Sequence, residues 1–242
     1  MSEPERHELI SPLERALVVI AHPDDAEFGA AATVARLTAS GSRVDYVVTT
    51  DGGKGTDDPA VTPEQLAATR TAEQRAAADV LGVTDIVHIG YPDGYLEPTL
   101  ALRRDITRQI RRFRPDLVIT LNPQRRTDHN PFIGHPDHMA TGEATLAAVY
   151  PAARDRLNFP ELIGEGLEPW KVRQVLVTGV DHPNLWVDVT DTFDTGLRAL
   201  RCHASQVRDR GDLEERMREW AERAGEAAGI GLAQAFGSII LE

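Results

Sequence analysis

A chain of 242 residues with 41% hydrophobic content can bury a full core, and its length fits one large domain. Its 38 acidic against 26 basic residues give a formal charge of -12, which argues against nucleic acid as a partner, because phosphate backbones are bound by positive surfaces. The lone cysteine, Cys202, allows no internal disulfide; residues 1–15 are charged and proline-punctuated rather than an apolar export signal, and no uncharged apolar run approaches the ~20 residues of a membrane span. The expected setting is the cytoplasm and the expected partner a small molecule, with association between copies of the chain left open.

Short apolar runs alternate with longer helical patterns, the signature of a mostly parallel sheet covered by helices on both faces. The pattern predicts a Rossmann-like three-layer α/β sandwich, a single domain over residues 1–242. The first strand spans 16–21, ALVVIA, apolar and partly β-branched as a buried central strand is. It turns at once into HPDDAE, and a helix over 27–40 follows, closed by Gly41. A second strand at 43–50 leaves into a long polar loop at 51–61. Thr62 and Pro63 then supply an N-cap and a first-turn proline for a helix over 63–81, which Gly82 closes. Next come a strand at 85–89, a helix at 100–113 and a strand at 116–121. A second long polar loop, 122–134, leads to a helix over 136–150, and the fifth strand is 174–180. From about 191 the pattern is helical to about 228, so the C-terminal segment is expected to pack as helix and extension. Both long loops leave the carboxyl ends of strands, where pocket walls form.

Ligands of open α/β sheets bind beyond the carboxyl ends of the strands, where loops converge over a rigid base. Two polar clusters fall there. His22, Asp24 and Asp25 follow the first strand across a turn stiffened by Pro23, and GHPDHMA puts His135, Asp137 and His138 at the head of a later helix. Catalytic zinc takes three N and O ligands and keeps a fourth position for water, and two histidines with one aspartate meet that need. A single His-Asp pair at a strand end is more often a hydrogen-bonded loop feature. Two HPD tripeptides, each at a loop-to-helix junction, shift the reading to metal chemistry.

AHPDD after the first strand and HPDH later are the hallmarks of the LmbE-like, or PIG-L, superfamily of zinc-dependent N-acetylglucosamine deacetylases, which this sequence resembles. The likeness extends to RTAEQRAAADVLGV, the YPDG turn, the WVDVTD strand end and LRCHASQ. The resemblance implies that His22, Asp25 and His138 bind Zn2+, with Fe2+ as an alternative ion, and that Asp24 is the general base. It implies that His135 serves as a second acid or oxyanion stabiliser oriented by Asp137, and that Arg70 and Asp93 hydrogen-bond the hydroxyls of a small aminosugar conjugate. It departs at Ile133, where many relatives carry a tyrosine able to assist the oxyanion. The insertion bearing Arg125, Arg126, Asp128 and His129 is also distinctive. Glu27 reads equally as a partner behind the ligands or as a first-turn helix acid, while His182 and His203 are secondary candidates for the pocket.

Amide hydrolysis is slow because water is a poor nucleophile and an amine a poor leaving group. A bound metal lowers the pKa of water from ~15.7 to about 7, roughly 12 kcal/mol in the deprotonation equilibrium, whereas a general base contributes about 3–5 kcal/mol. The metal is therefore expected to be the larger contribution, with Asp24 moving the proton. Competing chemistries fit less well. The first turn has no G-x-G-x-x-G and carries carboxylates that repel a pyrophosphate, and no G-x-S-x-G elbow is present. Two histidines and a carboxylate also form the triad of ferrous oxygenases, and a noncatalytic metal-stabilised binding protein would share these ligands without needing Asp24.

Overall fold

The computed structural model describes residues 6–125, 133–208 and 210–241. In chain order the elements are β1 (Arg15–Ile20), α1 (Asp25–Gly29), α2 (Ala31–Ala39), β2 (Arg43–Thr50), α3 (Pro63–Leu81), β3 (Asp85–Tyr91), α4 (Leu100–Phe113) and β4 (Leu117–Thr120). They continue with α5 (Pro136–Ala147), a π-helical turn (Ala148–Ala152), α6 (Glu161–Gly164), β5 (Gln174–Val177), β6 (Leu185–Asp188), α7 (Phe193–Arg201), α8 (Ala204–Val207), α9 (Leu213–Ala228) and β7 (Ala233–Ile240). The strands form a seven-stranded sheet in the order β3-β2-β1-β4-β5-β7-β6. Strands β1 to β5 run parallel, and β7 is antiparallel to both β5 and β6.

The alternation of β1 explains the layers. Ala16, Val18 and Ile20 face a core built with Ala26, Val34, Ala77, Leu81 and Ala199, under α1, α2, α3 and α7. Leu17 and Val19 face the opposite core, built with Leu102, Ile106, Ile110, Ala140 and Ala144 of α4 and α5. Successive strand side chains point to opposite faces, so a strand apolar throughout is one that is covered on both sides. Helix α3 spans the predicted residues, its Thr62 side chain accepting from Gln65 in a capping box and Gly82 closing it at φ 74°; α4 also keeps its predicted span.

Elsewhere the boundaries differ from expectation. The helix predicted over 27–40 is two, broken at Ala30 with φ -149° and ψ 3°. A Cβ on Gly29 would stand 3.2 Å from Thr178, so the junction lies where the chain crosses the end of β5. The helix predicted over 136–150 ends at Ala147, and Tyr150 is extended, with φ -139° and ψ 121°. The fifth strand stops at Val177 rather than at 180. The C-terminal segment, expected as helix and extension, also contains β7, which continues the sheet beyond β5 and pairs on its other side with β6.

This topology sets the place of the site. In the order 3-2-1-4-5 the chain reverses direction across the sheet between β1 and β4, and a crevice opens beyond their carboxyl ends. The first histidine cluster leaves β1 and the second follows β4. Helix α5 lies close against the β4 exit because Gly142 has no side chain: a Cβ there would run into the Leu121 carbonyl and stand 3.0 Å from the Pro123 nitrogen.

Candidate active site

Asp25 opens α1, and its carboxylate turns back on the strand it has just left. Its Oδ2 accepts the backbone N–H of Ala21 at 3.1 Å and of His22 at 2.8 Å. Its Oδ1 lies 3.0 Å from His138 Nε2, Oδ2 lies 3.5 Å from His22 Nδ1, and the two imidazole nitrogens are 3.2 Å apart. A tetrahedral ion about 2.0–2.1 Å from each donor sets donor separations of roughly 3.3–3.4 Å. The imidazole nitrogens of His22 and His138 and the Asp25 carboxylate, which meets each of them through a different oxygen, thus stand near the spacing of a tetrahedral metal site. Donor atoms of His22, His135 and His138 also lie within 4.8 Å of one another, as do those of His22, Asp93, His135 and Asp137.

The other nitrogen of His22 meets two carboxylates. Nε2 is 3.1 Å from Asp137 Oδ2 and 3.1 Å from Asp93 Oδ1. A histidine ligand whose second nitrogen donates to a carboxylate is held in one tautomer and one orientation. Burial opposes a charge on His22, yet the hydrogen bonds its ring donates to Asp137, Asp25 and Asp93 outweigh it and raise its pKa to about 12. Carboxylates around both nitrogens thus favour a cation here, whether a proton or a metal ion on Nδ1. Burial likewise opposes ionisation of Asp25, but the neighbouring His138 and His22 hold its carboxyl well below the usual range.

The resemblance implies that Asp137 orients His135, and the geometry differs. Asp137 is buried; its Oδ2 accepts from Gly94 N at 2.6 Å and its Oδ1 from Leu96 N at 3.1 Å, while His135 Nδ1 is 4.0 Å away. His135 is instead the N-cap of α5, with Nδ1 accepting the Asp137 backbone N–H at 3.2 Å. That bond puts the proton of a neutral ring on Nε2. Burial, followed by the charge of His22, lowers the His135 pKa, which favours the neutral ring. Its centroid is 4.7 Å from that of His22.

Asp24 occupies left-handed backbone, φ 104°, beside Asp25. Its backbone N–H donates to Gln74 Oε1 at 3.1 Å, and its Oδ2 lies 3.5 Å from an Arg70 nitrogen. Burial, then the charge of Asp25, push its carboxyl up to about 7. Arg70 is buried and donates to the carbonyls of Pro23 at 2.7 Å and Gly52 at 3.0 Å, tying the AHPDD turn to the loop after β2. Asp93, also buried, accepts the Lys54 backbone N–H at 3.0 Å. Both expected sugar-binding residues therefore lie at the site, each already engaged with protein partners.

Three further residues belong to this neighbourhood. Gln74, which sequence reasoning misses, donates to both carboxylate oxygens of Glu27 at 3.1 and 3.2 Å, and His203 Nε2 lies 3.1 Å from Glu27 Oε2. All three are buried, so Glu27, an acid in the first turn of α1, is also a partner behind the turn. The surrounding RTAEQRAAA stretch carries the only hint of Gln74 in the sequence. His182 is exposed in the loop before β6, and Ile133 is exposed as well. Arg125 is exposed, while Arg126, Asp128 and His129 lie outside the described residues.

The chain is 35% identical over 200 residues to the diacetylchitobiose deacetylase of Thermococcus kodakarensis, covering 83% of this chain and 73% of that protein. It superposes on the crystal structure of N,N'-diacetylchitobiose deacetylase from Pyrococcus horikoshii with a TM-score of 0.87 and 30% identity, covering 95% of this chain and 85% of the other. A 4-carboxy-2-hydroxymuconate hydratase from Pseudomonas putida shares the fold, with a TM-score of 0.79 and 19% identity over 95% of this chain and 98% of its own. The fold alone thus hosts more than one reaction. The profile of the GlcNAc-PI de-N-acetylase family, PIG-L, matches residues 17–149. Those residues include both histidine clusters, and the chain belongs to the PIG-L family.

Proposed function

We propose that this chain is a zinc-dependent N-deacetylase that hydrolyses the acyl amide, most simply acetyl, on the 2-amino group of an N-acetylglucosamine-type conjugate. One observation carries the reading: His22, Asp25 and His138 converge with separations of 3.0–3.5 Å beside a further carboxylate, Asp24, left outside that set. The two deacetylase relatives support the reaction class. When bound by His22, Asp25 and His138, the zinc ion supplies Lewis acidity that acidifies water and polarises the acyl oxygen.

The chain's own residues do the rest. Asp24 takes the proton of the attacking water and returns it to the departing nitrogen, so that an amine rather than an amide anion leaves. His135 donates Nε2–H to the oxygen that becomes negative in the tetrahedral intermediate; removing a donor of this kind costs about 3–4 kcal/mol. Asp137 and Asp93 hold the His22 ring, and Arg70 braces the wall formed by the turns at Pro23 and Gly52. The lone free cysteine suits a reducing compartment, and the cytoplasm is part of this reading. Among the described residues no helix is long and apolar enough to cross a membrane.

The test is release of free amine from N-acetylated aminosugars, with metal content measured on the same sample. Chelation should abolish turnover and zinc restore it. Asp24→Ala should lose at least a hundredfold in kcat with metal retained, whereas His138→Ala should lose the metal itself. Full activity of the Asp24 variant would remove the proposed base.

A further inference from the structure

The turn after β3 carries an aromatic side chain that the reaction does not use. Tyr95 is 76% exposed, yet its neighbours are anchored. The N–H groups of Gly94 and Leu96 both donate to Asp137, at 2.6 and 3.1 Å, and the Leu96 side chain is buried in the core under α4 and α5. Two amides fixed on one carboxylate hold the residue between them, and its ring is turned toward solvent beside the site. Gly94 has φ 78°, a conformation that glycine adopts without strain.

Lys54 lies on this ring, its Nζ 3.1 Å from the centroid, well inside the ~6 Å reach of a cation–π contact. Its backbone N–H donates to Asp93 at 3.0 Å, and its stem runs past Gly94, where a Cβ would stand 3.6 Å from Cδ and Nζ. The two halves of the pair are therefore held by Asp93 and Asp137, the carboxylates that each lie 3.1 Å from His22 Nε2. A displacement of either would be felt at the proposed metal ligand.

We propose that Lys54 and Tyr95 form a second subsite, which takes a neutral pyranose ring linked to the N-acylated sugar. The flat C–H face of a pyranose suits the face of the exposed tyrosine ring opposite Lys54, whose ammonium holds the ring from behind. A charged aglycone fits less well. Asp24, Asp51 and Asp93 line the same turns, and the whole chain carries a formal charge of -12, so an anion would approach against the field. The assignment rests on the deacetylase reading for the first ring and extends it to the second.

Binding is measured by calorimetry in the Asp24→Asn background, where the sugar is not consumed, with N-acetylglucosamine, N,N'-diacetylchitobiose and N-acetylglucosamine 1-phosphate. Acetate release from the first two is measured with Asp24 intact. The disaccharide should bind more tightly than the monosaccharide. Tyr95→Ala should lower the disaccharide-to-monosaccharide ratio of both affinity and kcat/KM about tenfold, Tyr95→Phe should preserve it, and Lys54→Met should lower it about threefold. Equal binding of the two sugars by the parent protein, an unchanged ratio in Tyr95→Ala, or a preference for the phosphate overturns the subsite. If the ratio in binding follows Tyr95 but no acetate is released, the subsite stands and the deacetylase reading falls. Acetate release with a ratio indifferent to Tyr95 removes the subsite and leaves the deacetylase reading standing.

Discussion

The backbone N–H of Asp24 donates to the side-chain oxygen of Gln74 at 3.1 Å, a contact that joins the first turn of the chain to the middle of α3. Asp24 holds φ 104°, and left-handed backbone in a residue with a Cβ costs of order 1–3 kcal/mol. Gln74 opposes that cost at its source. It is fixed in turn by donating to both oxygens of Glu27, and Glu27 meets His203. Gln74→Leu removes the acceptor from Asp24 and leaves Glu27 without its amide donors. The expected result is a fall in kcat of roughly tenfold or more, because small misplacements of a catalytic group are costly, with KM and metal content nearly unchanged. Steady-state kinetics beside metal analysis checks this; a loss of metal in step with activity would mean that Gln74 supports Asp25 instead.

The contact between Asp137 and His22 yields a second prediction. Asp137→Asn keeps the size of the side chain but removes the charge that faces His22 Nε2 at 3.1 Å. Outer carboxylates of this kind are worth about 10–100-fold in metal affinity, and a loss in that range is expected in competition with a chelator. Zinc in excess should restore most of the activity. A variant with unaltered affinity would show that Asp93, on the same nitrogen, suffices alone.

What is legible in the sequence is what depends on short range. Apolar runs locate β1 to β5, and Thr62, Pro63 and Gly82 bound α3, because caps and turn residues act within a few positions. The two HPD clusters are legible as a pair because each sits just beyond a strand at the sheet's reversal. The partners inside the site are not. The resemblance pairs Asp137 with the nearby His135, while its carboxylate meets His22, 115 positions away. The Glu27–His203 contact spans 176 positions, and neither residue carries a local sign of the other. The antiparallel β7 is hidden for a related reason: AQAFGSII includes Gly237 and alternates weakly, and its strand character comes from pairing with β5 and β6.

Arg111 offers a test of stability away from the chemistry. It is 1% exposed on α4, and its guanidinium donates to four backbone carbonyls, those of Ala152 at 2.9 Å, Ala153 at 3.2 Å, Asp155 at 3.0 Å and Asn158 at 2.9 Å. One side chain thereby closes the irregular segment that follows the π-helical turn. Arg111→Leu leaves those carbonyls without that donor, and the expected loss is about 2–4 kcal/mol in urea unfolding. Arg111→Lys should recover little of it, since a single ammonium lacks the planar fork that spans several acceptors. Kinetic constants under folding conditions should stay near those of the parent.

His88 supplies the pH dependence. It lies in β3 opposite Val48 of β2, on the sheet face it shares with Ile86, and burial lowers its pKa below 6.5. Because the folded-state value lies below the unfolded one, the unfolded chain binds more protons in the interval between them. The stability tied to neutral His88 is therefore fully present above about pH 6.5 and is lost as pH falls through the depressed folded value. Carboxylates elsewhere also titrate on acidification, so the measurement is a difference between two proteins. Urea midpoints taken at pH 7.5 and pH 5.5 should fall further in the parent than in His88→Gln, which has no proton to gain. Equal losses in the two proteins would show that the His88 ring reaches solvent readily enough to be protonated in place, and that the strand face around it opens without cost.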